Sequence, residues 1–574
     1  MTRPIRLASI AIALVTIAAA CGPSDGTRSQ PGAAENRPAA RKVVTMADAY
    51  EPKAITETFV VGKQTTGNNV RPIVHDNLFS NPEFQTYEPQ LAVEMPSIEK
   101  GTWKVNPDGT METIWRLRPN VKWHDGQPFT SADLLFTYQA SRDTEITGVA
   151  VSVTDRLMSS VSAPDPLTFV VQWNAPFVTA DRTGVGDVLP KHLIEEMYQK
   201  DKESLVNTPL FTTEFVGLGP YRMVRWEQSS FVEATRFDDY YQGRPPLDTV
   251  ILRFVGDPNS LVANILAESV DAVLSGAAGN GISVEQAVEV KRRWEGSRNQ
   301  VLTSKTDSAQ WAFGQYQPEY ARPKDVMNNL QVRRALLQAL DRQALAEVMT
   351  AGLSPVADSY VHPADPRYPQ MEPFIAKFPY DPVQTQQLLV QAGWNRGSDG
   401  VFVRASDGQR LELDFWVRGG ATERTASIVA DNWGRLGIAT TPYVIPAARR
   451  TDREYEVTRP GFICCVRVGP TFEGGTEATV RAIPTAATNW QGLNYGGYIN
   501  LKADAIVERL VATLDPRERL PLAQQLVQEY TSDVALMPLW WEIFPMLQRE
   551  GIKGPRANFV APTANMFEWD RTDR

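Results

Sequence analysis

Apolar and polar positions along this chain follow two different periods, which predicts a mixed α/β protein. Residues 155–173 alternate apolar and polar side chains in two short runs around a Pro-Asp-Pro turn, the pattern of a β-hairpin. Within residues 330–342 the apolar positions recur at helical spacing and predict one helix face: Val332, Ala335, Leu336, Ala339 and Leu340. Repeated strand–helix–strand units of this kind favour a lobe built on an α/β sheet.

The same patterns predict the other elements in chain order. Strands are expected at 58–61, 250–255, 270–273, 411–417 and near Tyr443, helices at 259–268, 427–437 and 515–529, and a buried strand at 537–541.

Residues 115–138 predict a short strand, a tight turn and the start of a helix. Asp125-Gly126 supplies the turn because glycine tolerates a positive φ, and Thr130 or Ser131 can cap the helix that follows. His124 beside Asp125 raises the alternatives of an acid/base pair or a metal site. No third ligand stands at a useful spacing, so we interpret this pair as structural.

The first residues predict a targeting segment. Two arginines precede an apolar run at 10–17, and Ala18-Ala19-Ala20-Cys21 follows. This resembles a bacterial lipobox, in which Cys21 becomes the acylated first residue after a signal peptide at 1–20. The alternative is an ordinary secretory cleavage site after Ala20. Residues 21–41 are rich in Pro, Gly and Ala and predict a flexible tether.

Composition narrows the class of protein. With 574 residues the chain is too long for one ordinary core, so we expect two or more lobes. A net charge of −9 argues against a nucleic-acid partner, which needs a basic face.

The four histidines have no metal-ligand spacing, so no metal site is expected. Adjacent Cys464 and Cys465 form either a vicinal disulfide or two small buried thiols.

Several blocks resemble one known family. Residues 115–138 resemble its LR-x-G-V-x-F/W-H-D-G-x-P block, and further matching blocks follow in the same order at 217–222, 236–245, 330–342, 380–394 and 537–541. The chain is therefore identified as a member of the extracytoplasmic solute-binding proteins that feed ABC importers, in the peptide and nickel family. A dinucleotide site at Gly217 and Gly219 is excluded, because the third glycine is absent and Pro220 blocks the helix start.

The resemblance implies an α/β fold of two lobes, joined by hinge strands and carrying an additional accessory domain. It places lobe I at 42–73, 214–303 and 538–574, the accessory domain at 74–213, and lobe II at 304–537. A solute would bind between the lobes, which close over it.

The resemblance also implies which segments line the cleft. The loop 64–69 contributes Thr66 and Asn68, and the return strand contributes Trp540 and Trp541, one facing the cleft and the other the core. The segment between these two includes Arg467, where peptide-binding members carry an acidic residue. Arg467 either binds a carboxylate, phosphate or sugar-acid group of the solute or pairs with an acid of the protein.

A Gly/Asn-rich loop supplies the remaining candidates. Trp490 lies in it, which favours stacking on a ligand over a place in the core. Asn494 and Tyr495 follow in the same loop and are predicted ligand contacts.

These expectations define a function. The resemblance implies a monomeric, extracytoplasmic lipoprotein, anchored to the bacterial membrane through Cys21. By hinge closure it delivers a peptide-like or other polar small solute to the permease subunits of an ABC importer, without cofactor or catalysis. The alternatives are a sensor or adhesion receptor of the same fold, and an extracytoplasmic hydrolase. For a hydrolase, no GxSxG, HExxH or SxxK set stands at supporting spacing.

Overall fold

The computed structural model describes residues 41–56, 69–83, 86–143, 145–146, 157–182, 185–205, 207–274, 281–468, 478–556 and 561–572. Several predictions lie outside these residues: the signal peptide at 1–20, Cys21 and the tether up to residue 40, the strand at 58–61, Thr66 and Asn68. The side chains of 466–468 are likewise outside the description, although their backbone is included. Within the described ranges, no helix combines the length and the apolar character needed to cross a bilayer.

The described chain combines strands and helices with the following bounds. The strands are β1 Val43–Asp48, β2 Phe79–Glu83, β3 Thr86–Pro89, β4 Trp103–Val105, β5 Met111–Arg116, β6 Met158–Asp165, β7 Thr168–Trp173, β8 Tyr221–Glu227, β9 Phe231–Arg236, β10 Thr249–Phe254, β11 Ala272–Val273, β12 Gln300–Phe313, β13 Trp394–Arg396, β14 Phe402–Arg404, β15 Glu412–Val417, β16 Ala439–Val444, β17 Phe462–Val468, β18 Met537–Gln548, β19 Ile552–Lys553 and β20 Asp570–Arg571. The helices are α1 Arg71–Val74, α2 Ser131–Ser141, α3 Lys191–Lys200, α4 Lys202–Leu205, α5 Pro258–Leu266, α6 Val284–Arg293, α7 Leu330–Gln338, α8 Arg342–Thr350, α9 Tyr368–Met371, α10 Pro382–Gln391, α11 Ala421–Arg435, α12 Arg453–Val457, α13 Leu501–Ala512 and α14 Pro516–Ser532.

One ten-stranded sheet runs through the described residues in the order β16-β15-β17-β12-β18-β11-β1-β10-β9-β8. Two long strands, β12 and β18, occupy its centre and pair antiparallel. The strands on the β11 side are called the first half of the sheet, and those on the β17 side the second half. A separate four-stranded sheet has the order β4-β5-β7-β6.

Separate apolar cores surround these sheets. The second half packs into the largest core, to which α11 contributes Trp433, with its ring 5.2 Å from Phe462. The first half has two cores, one of which holds α6 through Ala287 and Val290 against Val273. The four-stranded sheet has a core of its own around Trp115. Each half of the large sheet is thus built around its own apolar interior.

The predicted hairpin is present as β6 and β7, and α2 begins where Thr130 was expected to cap it. The Thr130 amide donates to the Asp133 carboxylate at 2.9 Å, which satisfies one amide at the helix start. The helix predicted over 330–342 is wrong in extent. It ends at Gln338, and Asp341 accepts from the Ala344 amide to begin α8. The side chain of an Asp competes for local backbone donors, so it favours a new helix start over a helix interior.

Candidate functional site

The two central strands pass from one half of the sheet to the other. The first part of β12 pairs with the part of β18 that also borders β11, from Gln300 opposite Gln548 to Lys305 opposite Ile543. The last part of β12, from Ala309, pairs with β17. Between Lys305 and Ala309 the register against β18 shifts. The ladder is locally interrupted at the point where the two halves meet, which gives the strands a place to bend.

The parallel strands of both halves end at this interruption. In the second half, β17 runs toward it and pairs Val468 with Ala309 at its end. In the first half, β11 is antiparallel to β18, and its last residue, Val273, pairs with Leu547, on the side toward the interruption. The strands β1 and β10 are parallel to β11, and β15 and β16 are parallel to β17. Ligands of open α/β sheets bind beyond the carboxyl ends of the strands, so the candidate cleft lies here.

The backbone register connects three residues across this region. Gln310 pairs with Arg467 on one side and with Trp540 on the other. Gln310 and Trp540 are both 6% exposed. The Oε1 atom of Gln310 has no hydrogen-bond partner among the described residues. Such an unpaired buried amide oxygen is costly unless a ligand or water supplies a donor.

Trp541 lies one position farther along β18 and is buried at 1% exposure. Its ring packs edge-on against His362, with centroids 4.5 Å apart. Adjacent residues of a strand point to opposite faces, so Trp540 and Trp541 contact different surroundings. Which of the two faces a solute stays a prediction.

Cys464 and Cys465 are joined in the structure, with their Sγ atoms 2.09 Å apart. The pairing of β12 with β17 shifts here, because Trp311 faces Val466 and Ala312 faces Cys464. Cys465 is therefore the extra residue of a β-bulge, and its φ of 66° lies in the left-handed region. The disulfide sits on the bulge that sets the direction of the last residues of β17.

The loop with Trp490 is held by its own backbone. The Trp490 amide donates to the Thr485 carbonyl at 2.8 Å, and Asn489 and Trp490 both have positive φ. The side chain of Trp490 is only partly buried, and it remains a candidate for stacking on a ligand.

Asn494 and Tyr495 have observed structural roles. Asn494 is fully buried; its Nδ2 donates to the carbonyls of Thr479 and Tyr498, and its Oδ1 accepts from the Tyr498 amide. Tyr495 is 6% exposed and its hydroxyl accepts from Arg453 at 2.7 Å. These contacts account for both residues without a ligand, and their predicted ligand contacts stay predictions.

A charged cluster follows β15 at the cleft edge. Arg418, the residue after β15, donates from Nε and Nη2 to the two oxygens of Glu456, each at 2.7 Å. The Glu456 side chain is fully buried, whereas that of Arg418 is 41% exposed. This hydrogen-bonded pair holds the pKa of Arg418 above its ordinary value. Arg418 is thus held in a charge-balanced pair with Glu456 beyond the end of β15.

Arg459 also contacts this region, through three backbone carbonyls. It is 1% exposed and donates to the carbonyls of Glu456, Tyr495 and Phe313. Burial lowers its pKa to about 9, which leaves the guanidinium charged at neutral pH. Its carbonyl contacts tie α12, the Tyr495 loop and the end of β12 together.

In the first half, Asp48 ends β1 at the cleft edge. It is 1% exposed and accepts hydrogen bonds from Asn69 Nδ2 at 2.7 Å and from the Tyr50 amide at 3.1 Å. Burial raises the pKa of Asp48 to about 7, although the bond from Asn69 opposes that shift. The Oδ1 atom of Asn69 is buried without a partner in the described chain.

The hydrogen bonds of His124 and Asp125 go to different partners, in agreement with the structural interpretation. The Gly217 amide donates to His124 Nδ1 at 3.2 Å, so Nε2 carries the proton and donates to the Gly219 carbonyl at 3.0 Å. Burial lowers the pKa of His124 to about 4, and the ring is neutral. Asp125 instead contacts His192 at 2.7 Å on the surface.

Sequence reasoning missed Arg418, Glu456 and Asp48. Asp48 ends β1, Arg418 follows β15 and Glu456 lies in α12, and a single charged residue at such a place is common and carries no signal by itself. Among the described residues, no group of three or more His, Cys, Asp or Glu side chains is arranged to hold a metal ion.

Comparison with known families gives an extended match. The sequence model described as "Bacterial extracellular solute-binding proteins, family 5 Middle" matches residues 86–463, about two thirds of the chain. The oligopeptide-binding protein AppA of Bacillus subtilis is 21% identical over 564 residues, which cover 98% of this chain and 97% of AppA.

Solved structures share the fold. NikZ from Campylobacter jejuni, in complex with Ni(L-His), aligns with a TM-score of 0.71 at 21% identity, covering 92% of this chain and 99% of NikZ. The oligopeptide-binding protein of Thermus thermophilus, complexed with a pentapeptide, aligns with a TM-score of 0.73 at 21% identity, covering 92% and 96%. The predicted two-lobed α/β fold with hinge strands and an accessory domain is confirmed.

Proposed function

Because the chain belongs to the family 5 bacterial extracellular solute-binding proteins, a family of ABC-importer receptors and not of enzymes, we propose that it captures a polar solute between two lobes and delivers it to a permease. The observation that carries this proposal is the meeting of two sets of parallel strand ends at the interrupted register of β12 and β18. Hinge bending there opens and closes the space in which a solute binds.

The proposed lobes correspond to the halves of the large sheet. Lobe I comprises 42–73, 214–303 and 538–574, lobe II comprises 304–537, and residues 74–213 form the accessory domain. The separate apolar cores of the two halves support this division, since each half can move as a unit without exposing its interior.

We propose that the solute carries an anionic group. Arg467 ends the row that also contains Gln310 and Trp540. The family resemblance implies an acidic residue in this segment of peptide-binding members, where this chain has Arg467. An arginine recognises a carboxylate or phosphate through paired hydrogen bonds, whereas an acid recognises an ammonium group. The Gln310 amide and the Trp540 ring would bind polar and flat parts of the same solute.

Native mass spectrometry of freshly purified protein tests this assignment. An extra mass belonging to a carboxylate- or phosphate-bearing compound is expected, and the Arg467→Ala variant should copurify with less of it. Arg435→Ala removes an exposed arginine paired with Asp431 on α11 and serves as the matched control. A copurified peptide with a free amine, retained equally by Arg467→Ala, contradicts the anionic assignment.

We also propose that Cys21 carries a lipid after removal of residues 1–20, so that the receptor stays at the membrane. The lipobox-like Ala-Ala-Ala-Cys sequence and the tether at 21–41 support this. In cell fractionation, Cys21→Ala should move the protein from the membrane to the soluble fraction. Unchanged membrane retention of Cys21→Ala would overturn the anchor.

A further inference from the structure

An ion pair joins the two halves of the sheet outside their shared strands. Arg424 Nη1 donates to Glu285 Oε1 at 2.7 Å. Glu285 lies in the first turn of α6, which packs into a core of the first half, and Arg424 lies in the first turn of α11, which packs into the core of the second half. The pair therefore connects the two bodies at a place away from β12 and β18.

The position of Arg424 is unfavourable within its own helix. A helix start carries partial positive charge, so a cation in the first turn is disfavoured and an anion is favoured. Glu423 and Glu285 both follow this rule at the starts of α11 and α6, whereas Arg424 does not. The carboxylate of Glu285 on α6 offsets this cost only while the two helix starts are close together.

A second contact joins the lobes through the accessory domain. The Val178 amide donates to the carbonyl of Val511 at the end of α13, at 3.0 Å. Leu514, just beyond α13, packs against the core around Trp115 in the accessory domain. Helix α6 also lies against α8, which belongs to the second half. Contacts at these separate places describe a closed arrangement of the lobes.

We propose that Glu285 and Arg424 are positioning residues that hold the lobes closed and so set the fraction of receptor in the closed state. The proposal rests on the proposed function, because closure matters only if the lobes separate. Opening separates the two charges and returns each to water, so the pair favours the closed state alone. Both side chains are more than half exposed, at 53% and 56%, so salt weakens the pair and its effect is modest.

Hydrogen exchange at Val178 measures opening without labels or ligand. This amide is bonded to Val511 in the closed state and loses that bond when the lobes part. The experiment uses the full chain, freed of any copurified solute, followed by mass spectrometry of peptides that contain Val178. Exchange there should rise about two- to fivefold in Glu285→Ala and in Arg424→Ala, the range expected for an exposed pair.

Matched variants separate closure from a general loss of charge. Glu289→Ala removes a carboxylate that pairs with Arg292 and Arg293 within α6, and Arg435→Ala removes a cation that pairs within α11. Neither variant should change exchange at Val178. The charge-exchanged double variant Glu285→Arg/Arg424→Glu should return the exchange rate at Val178 toward that of the original protein. Addition of 1 M NaCl should raise this exchange rate in the original protein but not in Arg424→Ala.

Unchanged exchange at Val178 in both single variants overturns the proposal, as does an equal rise in Glu289→Ala. Small-angle scattering gives a second measure, since an opened receptor has a larger radius of gyration. The test needs no solute, so a failure to find a transported solute would count against the proposed function and leave the closing pair standing. A closed state insensitive to these variants would count against the pair alone.

Discussion

At the scale of single residues, close backbone approach explains the two glycines of the 217–220 turn. A Cβ atom on Gly217 would lie 1.9 Å from the Val74 carbonyl oxygen, and one on Gly219 would lie 2.4 Å from the His75 amide nitrogen. The Gly219 amide donates to that same Val74 carbonyl, and His124 binds the turn from the other side. The turn is thus held between α1 and residues of the accessory domain.

Gly217→Ala should lower the free energy of unfolding by about 1–3 kcal/mol or more, because a methyl group there forces backbone shifts. Urea denaturation followed by fluorescence measures the change. Gly256→Ala is the control, since nothing lies within 4 Å of its added Cβ. Equal midpoints for Gly217→Ala and Gly256→Ala would contradict the close approach.

Asp48 should make stability depend on pH. Burial raises its pKa to about 7, above the ordinary value of 3.8, so the folded state holds a proton that the unfolded state releases. Its contribution to stability is complete below about pH 4 and is lost as pH rises to about 7. The loss amounts to up to about 4 kcal/mol.

Asp48→Asn removes this titration, so its stability relative to the original protein should rise between pH 4 and pH 8. Denaturation at each pH measures the difference in free energy of unfolding between the variant and the original protein. Burial lowers the pKa values of His75 and His124 to about 4, which gives an opposite trend with pH. Both proteins contain these histidines, so their effect cancels in the difference. Asp239→Asn, on the surface, is the control. A stability difference that stays constant with pH would contradict the assignment.

At the scale of elements, the bulge at Cys465 redirects the end of β17. An extra residue in one strand shifts its backbone pairing with the neighbouring strand, so Val466 pairs with Trp311 after the bulge, whereas Cys464 pairs with Ala312 before it. The adjacent disulfide joins Cys464 to this residue. The bulge at Cys465 thus lies two residues before Arg467, the proposed ligand contact on this strand.

Two variants without the disulfide test the backbone requirement. The free energy of unfolding, measured in urea, should be about 1–3 kcal/mol higher for Cys464→Ala/Cys465→Gly than for Cys464→Ala/Cys465→Val. The reason is that a β-branched residue disfavours the φ of 66°. Equal stability would show that the bulge relaxes without the disulfide. In the original protein, alkylation at Cys464 and Cys465 should require prior reduction.

The helix boundaries show how far local patterns reach. Apolar spacing correctly placed the hairpin of β6 and β7, because the pattern and the pairing of a hairpin both depend on residues that are close in the chain. It failed at Ala339 and Leu340, which are buried but lie between α7 and α8. Both belong to the core whether or not the backbone stays helical, so apolar spacing could not locate the break, whereas the Asp341 cap does.

At the scale of the whole molecule, solute binding and closure share one equilibrium. A solute that contacts both lobes binds the closed state better and draws the population toward it. The contacts at Glu285 and at Val178 act on that same equilibrium from outside the cleft. They therefore change how much of the free energy of solute binding is needed to close the lobes.

Removal of copurified solute should therefore lower the unfolding temperature, and returning it should restore the temperature. At a free solute concentration one hundred times its Kd, the stabilisation is about 2.7 kcal/mol. Differential scanning fluorimetry before and after denaturation, dialysis and refolding measures it. An unfolding temperature that ignores the extracted compound would show that the compound is not the ligand.

The amino-acid sequence by itself indicated the family and the adjacency of Cys464 and Cys465, and it placed some elements, such as the hairpin of β6 and β7, because these depend on local periodicity and on residues that are neighbours in the chain. Only the tertiary structure decided that Asn494 and Tyr495 support a loop, that Arg418 binds Glu456, and that Glu285 meets Arg424. These pairings join residues far apart in the chain, so they depend on the strand register and on the relative position of the lobes. Ligand contact and closure are properties of that arrangement, and no local pattern encodes them.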